Sequence, residues 1–303
     1  MLRSDLTFYF KNFIQIFKLS MTPPSIIYPI PLFAVVLYSL SNCRNVSLLF
    51  VAIAFTFISQ AGMNLWNHVN DVEEDIIAGK VNILTKNPEL KPFVSVLSFL
   101  LYSTAFLILI LFSKDKRALI ACILVFAATW LYSDRILIGR FFRRLKDHYL
   151  TEVATYAISA PAFTLATWSI YEELCLKAFA VAIIMSFFAL SGTFLKDLKD
   201  ASGDEKAGLK TLAVVFSPLS LLLTSVLMLW LYYTSIILST LLGIIPLNSA
   251  LAVLPSILLA YSTYAFLSER EVSFKVLKPI KLMIFSSVSS LAFLAIANLL
   301  PLL

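Results

Sequence analysis

Charge is scarce in this chain. Only 42 of its 303 residues are Lys, Arg, Asp or Glu, or 14% where a water-soluble globule carries about a quarter. That shortage argues against a soluble enzyme, a disordered chain and a nucleic-acid binder, although the formal charge of +6 and pI near 9.1 would suit the last. Cysteine is scarce too. Cys43, Cys122 and Cys175 are too few and too scattered for a disulfide framework or a zinc site, and read as apolar filler. No Gly/Ser linker or shift of composition divides the chain, so residues 1–303 read as one domain. What is abundant is apolar surface: 60% of residues are hydrophobic and the mean hydropathy is +0.89. This is the composition of an integral membrane protein.

Crossing a hydrocarbon core of ~30 Å takes about 20 apolar residues. Nine runs qualify: 24–41, 47–68, 93–112, 118–138, 150–170, 175–195, 219–243, 247–267 and 280–300. They are continuously apolar rather than alternating, which excludes a strand barrel and predicts an all-α bundle of nine transmembrane helices. Before them, Leu6, Phe10, Phe13 and Phe17 recur at helical spacing among Lys11 and Lys18, so residues 1–23 read as an interfacial helix rather than a signal peptide. Pro29 and Pro31 predict a kink in the first span.

Of the 24 Lys and Arg, 19 fall on the N-terminus and the even-numbered loops. By the positive-inside rule these lie in the cytoplasm. Fifteen of the 18 Asp and Glu fall there as well. Acidic residues contribute little to orientation, so their gathering on one side asks for a chemical reason.

Two clusters supply it. After the second span come Asn67, Asp71 and Asp75, spaced i, i+4, i+8; a continuing helix sets them on one stripe over about 12 Å, with Glu73 and Glu74 pointing elsewhere as surface charge. After the sixth come Asp197, Asp200 and Asp204, spaced i, i+3, i+7. Both stripes leave the membrane on the same side and can face one cytoplasm-facing cavity. Carboxylates converging there repel one another unless cations sit between them. Donors that are all oxygen suit Mg²⁺, which keeps part of its coordination for phosphate oxygens. Asn67, Asp71, Asp75, Asp197, Asp200 and Asp204 are therefore the candidate metal ligands, holding two or three ions with a diphosphate. His68 adjoins Asn67 but points about 100° away and reads as packing. Arg135, Arg140, Arg143, Arg144 and Lys146 in loop 4, Lys80 and Lys86 in loop 2, and Lys199 and Lys210 in loop 6 can balance the phosphate oxygens. The loop 4 cations also read as topology determinants. A substrate with a diphosphate head and a bilayer-soluble tail is a prenyl diphosphate.

Asn67-x3-Asp71-x3-Asp75 after the second of nine spans, with Asp200-x3-Asp204-Glu-Lys-Ala-Gly208-Leu-Lys-Thr211-Leu after the sixth, resembles the paired motifs of the UbiA family of intramembrane prenyltransferases. The Lys196-Asp-Leu-Lys-Asp-x-x-Gly-Asp204 form is similar to archaeal-type members that make ether lipids. Two positions depart from the family pattern. Tyr132 is followed at the family's Tyr-x3-Lys spacing by Ile136, so the counterpart of that lysine falls on Arg143, Arg144 or Lys146. Thr85-Lys86-Asn87-Pro88 stands where many members have Arg-Pro.

The resemblance implies Mg²⁺-dependent transfer of a prenyl chain to an aromatic, quinone-precursor-like acceptor or a lipid acceptor such as a prenylglycerol phosphate. Asp71, Asp75, Asp200 and Asp204 then serve catalysis, and the Tyr132 ring can stabilise an allylic cation. Asn67, Lys86, Arg140, Arg143, Arg144, Lys146 and Lys199 hold the diphosphate. Partners are the two substrates and membrane lipids, with no nucleic acid and no obligate protein. The competing reading is a secondary transporter using the acidic helix ends for ion coupling. Such sites sit near the bilayer midplane on broken helices, whereas both motifs here lie at helix ends.

Overall fold

The computed structural model describes residues 12–21, 30–196, 205, 208–268 and 277–300, and every regular element among them is helical. Residues 12–20 form α1. There follow α2 (Ile30–Leu40), α3 (Val46–Asn70), α4 (Val72–Ile77), α5 (Ile83–Lys86), α6 (Lys91–Phe112), α7 (Ala118–Ser133), α8 (Tyr149–Trp168), α9 (Leu176–Lys196), α10 (Leu212–Val215), α11 (Pro218–Leu241), α12 (Ser256–Ser268) and α13 (Leu277–Leu299). Each apolar run in the sequence thus carries a helix over its described part. Among the described residues, six stretches are long and apolar enough to cross a membrane: α3, residues 88–112 around α6, α9, α11, residues 247–268 ending in α12, and α13. The apolar helices α2 and α7 are shorter. At 20 residues α8 is long enough, but it is more polar, carrying Glu152 and four threonines.

Packing runs in a closed circuit. α2 lies against α3 and α13, α3 against α6, α7 against α8, α8 against α9, and α9 against α11, with α12 and α13 following and α6 meeting α7. Apolar side chains face both the circuit's interior and its outer surface. Phe33, Phe55 and Phe163 stack inside, while Phe99, Ile123, Ile183 and Phe285 stand exposed as lipid-facing residues do. Several buried hydroxyls pair across helices, as suits a low-dielectric surrounding. Ser191 and Ser225 join α9 to α11 at 2.8 Å, and Tyr232 and Tyr233 reach Ser290 and Ser286 at 3.0 and 2.7 Å. Gly62 lets α6 close on α3, since a Cβ there would stand 3.3 Å from Leu101 Cβ.

Two expectations change. Pro31 lies in the first turn of the described part of α2, where a missing N–H costs no helical bond, and Pro29 falls outside the described residues. In α1 the expected apolar stripe divides. Phe13 and Phe17 are exposed, whereas Ile16 and Leu19 are buried in a small satellite core with Leu65, Val69, Ile83, Leu84 and Val94. Leu6 and Phe10 lie outside the described residues. Asn64 Nδ2 donates to the Ser20 carbonyl at 2.8 Å, fixing α1 against the end of α3.

That end of the circuit, where α3, α7 and α9 finish and α6 and α8 begin, gathers the candidate site. At the opposite end Glu172 accepts from the Asn42 main chain and side chain, and Asp115 binds Arg117 and the Leu174 N–H.

Candidate active site

The first acidic stripe is interrupted. α3 stops at Asn70, Asp71 takes φ −100° and ψ 5°, and α4 restarts at Val72. The cause is Asn70, whose Oδ1 accepts the Arg135 N–H at 2.7 Å while its Nδ2 donates back to the Trp66 carbonyl at 2.8 Å. The i, i+4 register nonetheless survives, because Asp71 N–H donates to the Asn67 carbonyl at 3.0 Å and Asp75 N–H to that of Asp71 at 2.8 Å. The result is a helix break after which Asn67 and Asp71 share Lys146 while Asp75 meets Asn82, Lys80 and His68.

Asn67 Oδ1 accepts from Ser133 Oγ at 2.6 Å and from Lys146 Nζ at 3.4 Å. Asp71 Oδ1 is bound by Lys146 Nζ and by Arg144 Nη1, the latter at 3.2 Å. Asp75 is buried; it accepts from Asn82 Nδ2 at 3.1 Å and has Lys80 Nζ at 3.5 Å and His68 Nδ1 at 3.9 Å. Asn82 is itself locked by a reciprocal cap with Thr85. Burial alone would raise the Asp71 pKa, but Lys146 and then Arg144 outweigh it and hold the carboxyl below the usual range.

Arg144 is the hub. Only 3% exposed, it reaches Asp147 Oδ1 through Nε at 2.9 Å, Glu74 Oε1 through Nη2 at 2.7 Å, and Asp71 through Nη1. Burial would lower its pKa, and Asp147, Asp71 and Glu74 together raise it instead. Glu74 therefore corrects the reading of it as surface charge. It is mostly buried and also takes Arg135 Nη2 at 2.5 Å, while Glu73 stays largely exposed.

Loop 4 owes its shape to Asp134, which is 1% exposed. Its Oδ1 accepts the N–H groups of Ile136 and Leu137 and its Oδ2 those of Ile138 and Gly139, at 2.7 to 3.3 Å. A Cβ on Gly139 would overlap the Asp134 carbonyl. Gly139→Ala should consequently break this turn and displace Arg144, lowering the unfolding temperature by an amount equivalent to about 1–3 kcal/mol; an unchanged thermal melt in detergent would contradict it.

Not every expected cation is brought in. Lys86 ends α5 exposed, with no site carboxylate among its described partners. Arg143 is exposed and lines, with Arg135, Arg144 and Phe142, an open cleft of about 320 Å³. The Arg140 side chain, Asp197, Lys199, Asp200 and Asp204 lie outside the described residues. The chain on either side of the second motif is described, however. α9 ends at Lys196, directly before Asp197, and Lys210 N–H donates to the Asp147 carbonyl at 3.1 Å while its own carbonyl accepts the Tyr149 N–H at 2.9 Å. Both flanks of the second motif thus attach beside the first.

Tyr132 joins the same region through its neighbour Ser133. Its hydroxyl donates to Glu152 Oε1 at 2.8 Å and accepts from Lys196 Nζ at 3.3 Å; Lys196 also donates to Tyr156 at 3.2 Å. The Lys196 ammonium stands 5.7 Å from the Tyr132 ring centroid, so this ring already faces a positive charge. Lys196, Glu152, Ser133, Asp147 and Glu74 were not picked out from the sequence. The signal for Glu152 was an acid set a few residues inside an apolar run, and for Lys196 its adjacency to Asp197.

Comparison with known proteins places the fold. An uncharacterised protein of Archaeoglobus fulgidus is 37% identical over 287 residues, covering 93% of this chain and 98% of its own. Among solved structures, a digeranylgeranylglyceryl phosphate synthase superposes with a TM-score of 0.68 at 15% identity over 95% of this chain and 99% of its own. A UbiA homologue of A. fulgidus bound to DMAPP and Mg²⁺ gives 0.62 at 15% identity over 94% and 99%. An apo homologue from Aeropyrum pernix K1 gives 0.62 at 14% over 92% and 98%. The sequence model of the UbiA prenyltransferase family matches residues 28–288; this chain belongs to that family.

Proposed function

We propose that this membrane protein transfers a prenyl chain from a polyprenyl diphosphate to an acceptor and releases diphosphate, in a single domain of nine transmembrane helices with the site and N-terminus on the cytoplasmic side. The observation that carries the reading is Asp71, a carboxylate at the broken end of a membrane helix, held by Arg144 and Lys146 beside Asn67. Carboxylates and paired cations at the edge of an apolar bundle match a substrate that is anionic at one end and oily at the other.

The donor set suits Mg²⁺, being carboxylate and amide oxygens of the hard type that ion prefers. Asn67, Asp71 and Asp75, with Asp197, Asp200 and Asp204 after α9, would hold two or three ions, which when bound neutralise charge on the leaving diphosphate. Arg144 and Lys146 bind further phosphate oxygens, with Arg140 and Lys199 as additional donors. As the C1–O bond opens, the Tyr132 ring faces the allylic cation. The closed apolar circuit keeps water from it. The structural neighbour that is a digeranylgeranylglyceryl phosphate synthase favours a glycerol-lipid acceptor over an aromatic one.

Purified protein with Mg²⁺ and geranyl, farnesyl or geranylgeranyl diphosphate, offered a panel of glycerol-lipid and aromatic acceptors, should yield a prenylated product and inorganic diphosphate by mass spectrometry. EDTA should stop the reaction and added Mg²⁺ restore it. Turnover that persists in EDTA, or solute movement across vesicles with no diphosphate released, would sink this reading.

A further inference from the structure

We propose that Glu152 receives the acceptor: its Oε2 accepts a hydrogen bond from the attacking hydroxyl and takes that proton as the ether bond forms. The inference rests on the prenyl-transfer reading above. Glu152 lies in the first turn of α8 and is 2% exposed. Its two oxygens are in unequal states. Oε1 accepts from the Tyr132 hydroxyl at 2.8 Å and has Lys196 Nζ at 3.9 Å. Oε2 is buried and has no hydrogen-bond partner among the described residues. Leaving a buried acceptor unpaired costs about 1–3 kcal/mol, and more when it is charged, so a carboxylate kept that way is suited to a partner that arrives with substrate.

The surroundings say where that partner comes from. Tyr132 precedes Ser133, which donates to Asn67 of the first motif, and Lys196 precedes Asp197 of the second. Glu152, on α8, thus meets residues that adjoin each motif in sequence, Tyr132 beside Ser133 and Lys196 beside Asp197. Tyr156, one turn further along α8, packs edge-on against Tyr132 at 5.7 Å and completes a polar wall of two phenols, one ammonium and one carboxylate. An ionised oxygen placed directly at Oε2 would be repelled by the Glu152 carboxylate, so any phosphate on the acceptor must lie away from it. A neutral hydroxyl is accepted, since it supplies the one hydrogen bond that Oε2 lacks.

The step balances. The C1–O bond of the donor breaks with its electron pair going to diphosphate. A lone pair of the acceptor oxygen forms the new C1–O bond, and the hydroxyl proton passes to Oε2. The products are an ether, inorganic diphosphate and protonated Glu152, which returns its proton to water once product leaves. An alcohol needs this help because its oxygen becomes strongly acidic only as the bond forms. A thiol, ionised near pH 8.5 unaided, does not.

The test uses full-length protein in lipid nanodiscs with Mg²⁺ and geranylgeranyl diphosphate. The acceptor is a glyceryl phosphate carrying one ether-linked prenyl chain and one free hydroxyl, or the same compound with a thiol in its place. Glu152→Gln keeps the side-chain shape and an oxygen for Tyr132 but cannot take a proton. It should lower kcat with the hydroxyl acceptor by about 100-fold or more, leave the donor KM unchanged, and give a much smaller loss with the thiol at pH 9. Equal losses with both acceptors, or a hydroxyl rate close to wild type, overturn the assignment; so does wild-type protein that prenylates only aromatic carbon. If the Gln variant fails to fold, Glu152→Asp, with its carboxylate drawn back by one methylene, carries the same comparison. A wild type that makes no prenylated product and releases no diphosphate overturns the prenyl-transfer reading itself, a result distinct from an active wild type with an equally active Glu152→Gln.

Discussion

Asp71→Asn should reduce prenyl transfer by about 10³-fold, the scale of removing a preorganised charge-stabilising group, while the purified protein keeps its helix content and melts as the wild type does. The fold survives because neither cation depends on Asp71 alone. Arg144 keeps Asp147 and Glu74, and Lys146, 13% exposed, can turn to water. Chemistry does not survive, since the neutral amide lacks the negative charge with which Asp71 attracts Mg²⁺ and offsets Arg144 and Lys146. Asp200→Asn should give a loss of the same order if the two motifs act as one site. Isotopically labelled donor and product analysis would measure the loss, and a variant within about tenfold of wild type would rule out the two-bank reading.

The shift at Asp71 adds a pH corollary. Its folded-state pKa lies below the usual 3.8, so the stability its ionised form contributes is present above about pH 4 and is lost as pH falls through the lowered value. An acid limb of activity at pH 5 to 6 therefore belongs to another group.

Much of this was legible beforehand, and the boundary of legibility has a physical origin. Hydropathy located the helices because the bilayer dictates length and composition locally, within each run. Loop parity gathered the acidic and basic residues on one side, and Asn67, Asp71, Arg144, Lys146 and Tyr132 do converge at one end of the circuit. What could not be read was anything set by contacts between distant segments. Nothing at Asp71 marks a helix break, for the kink arises when the Arg135 main chain, 65 residues on, captures the Asn70 side chain. Glu74 looked like surface charge until Arg144 and Arg135 folded over it. Asp134 was one loop acid among several, though it organises four backbone N–H groups. Lys86 shows the converse: the right charge in the right loop, but exposed at the far end of α5 from the Asn82 cap that binds Asp75.

The remaining large effect belongs to Arg144, whose guanidinium binds three carboxylates from two parts of the chain while almost wholly buried. Arg144→Met should destabilise the protein by about 3–5 kcal/mol, the cost of breaking a buried ion network from one side, and abolish turnover with it. The loss comes less from the attraction removed than from Glu74 and Asp147, left mutually repelling while mostly buried. Arg144→Lys should rescue only part, because one ammonium cannot reproduce a fork that spans Asp147 through Nε and Asp71 through Nη1. Adding Glu74→Gln to Arg144→Met should recover stability but not activity, since it relieves the repulsion without restoring a donor for phosphate. Thermal unfolding of the three variants in one detergent would decide this. A double variant no more stable than Arg144→Met would show that Arg144 acts through packing rather than as the counter-charge to those carboxylates.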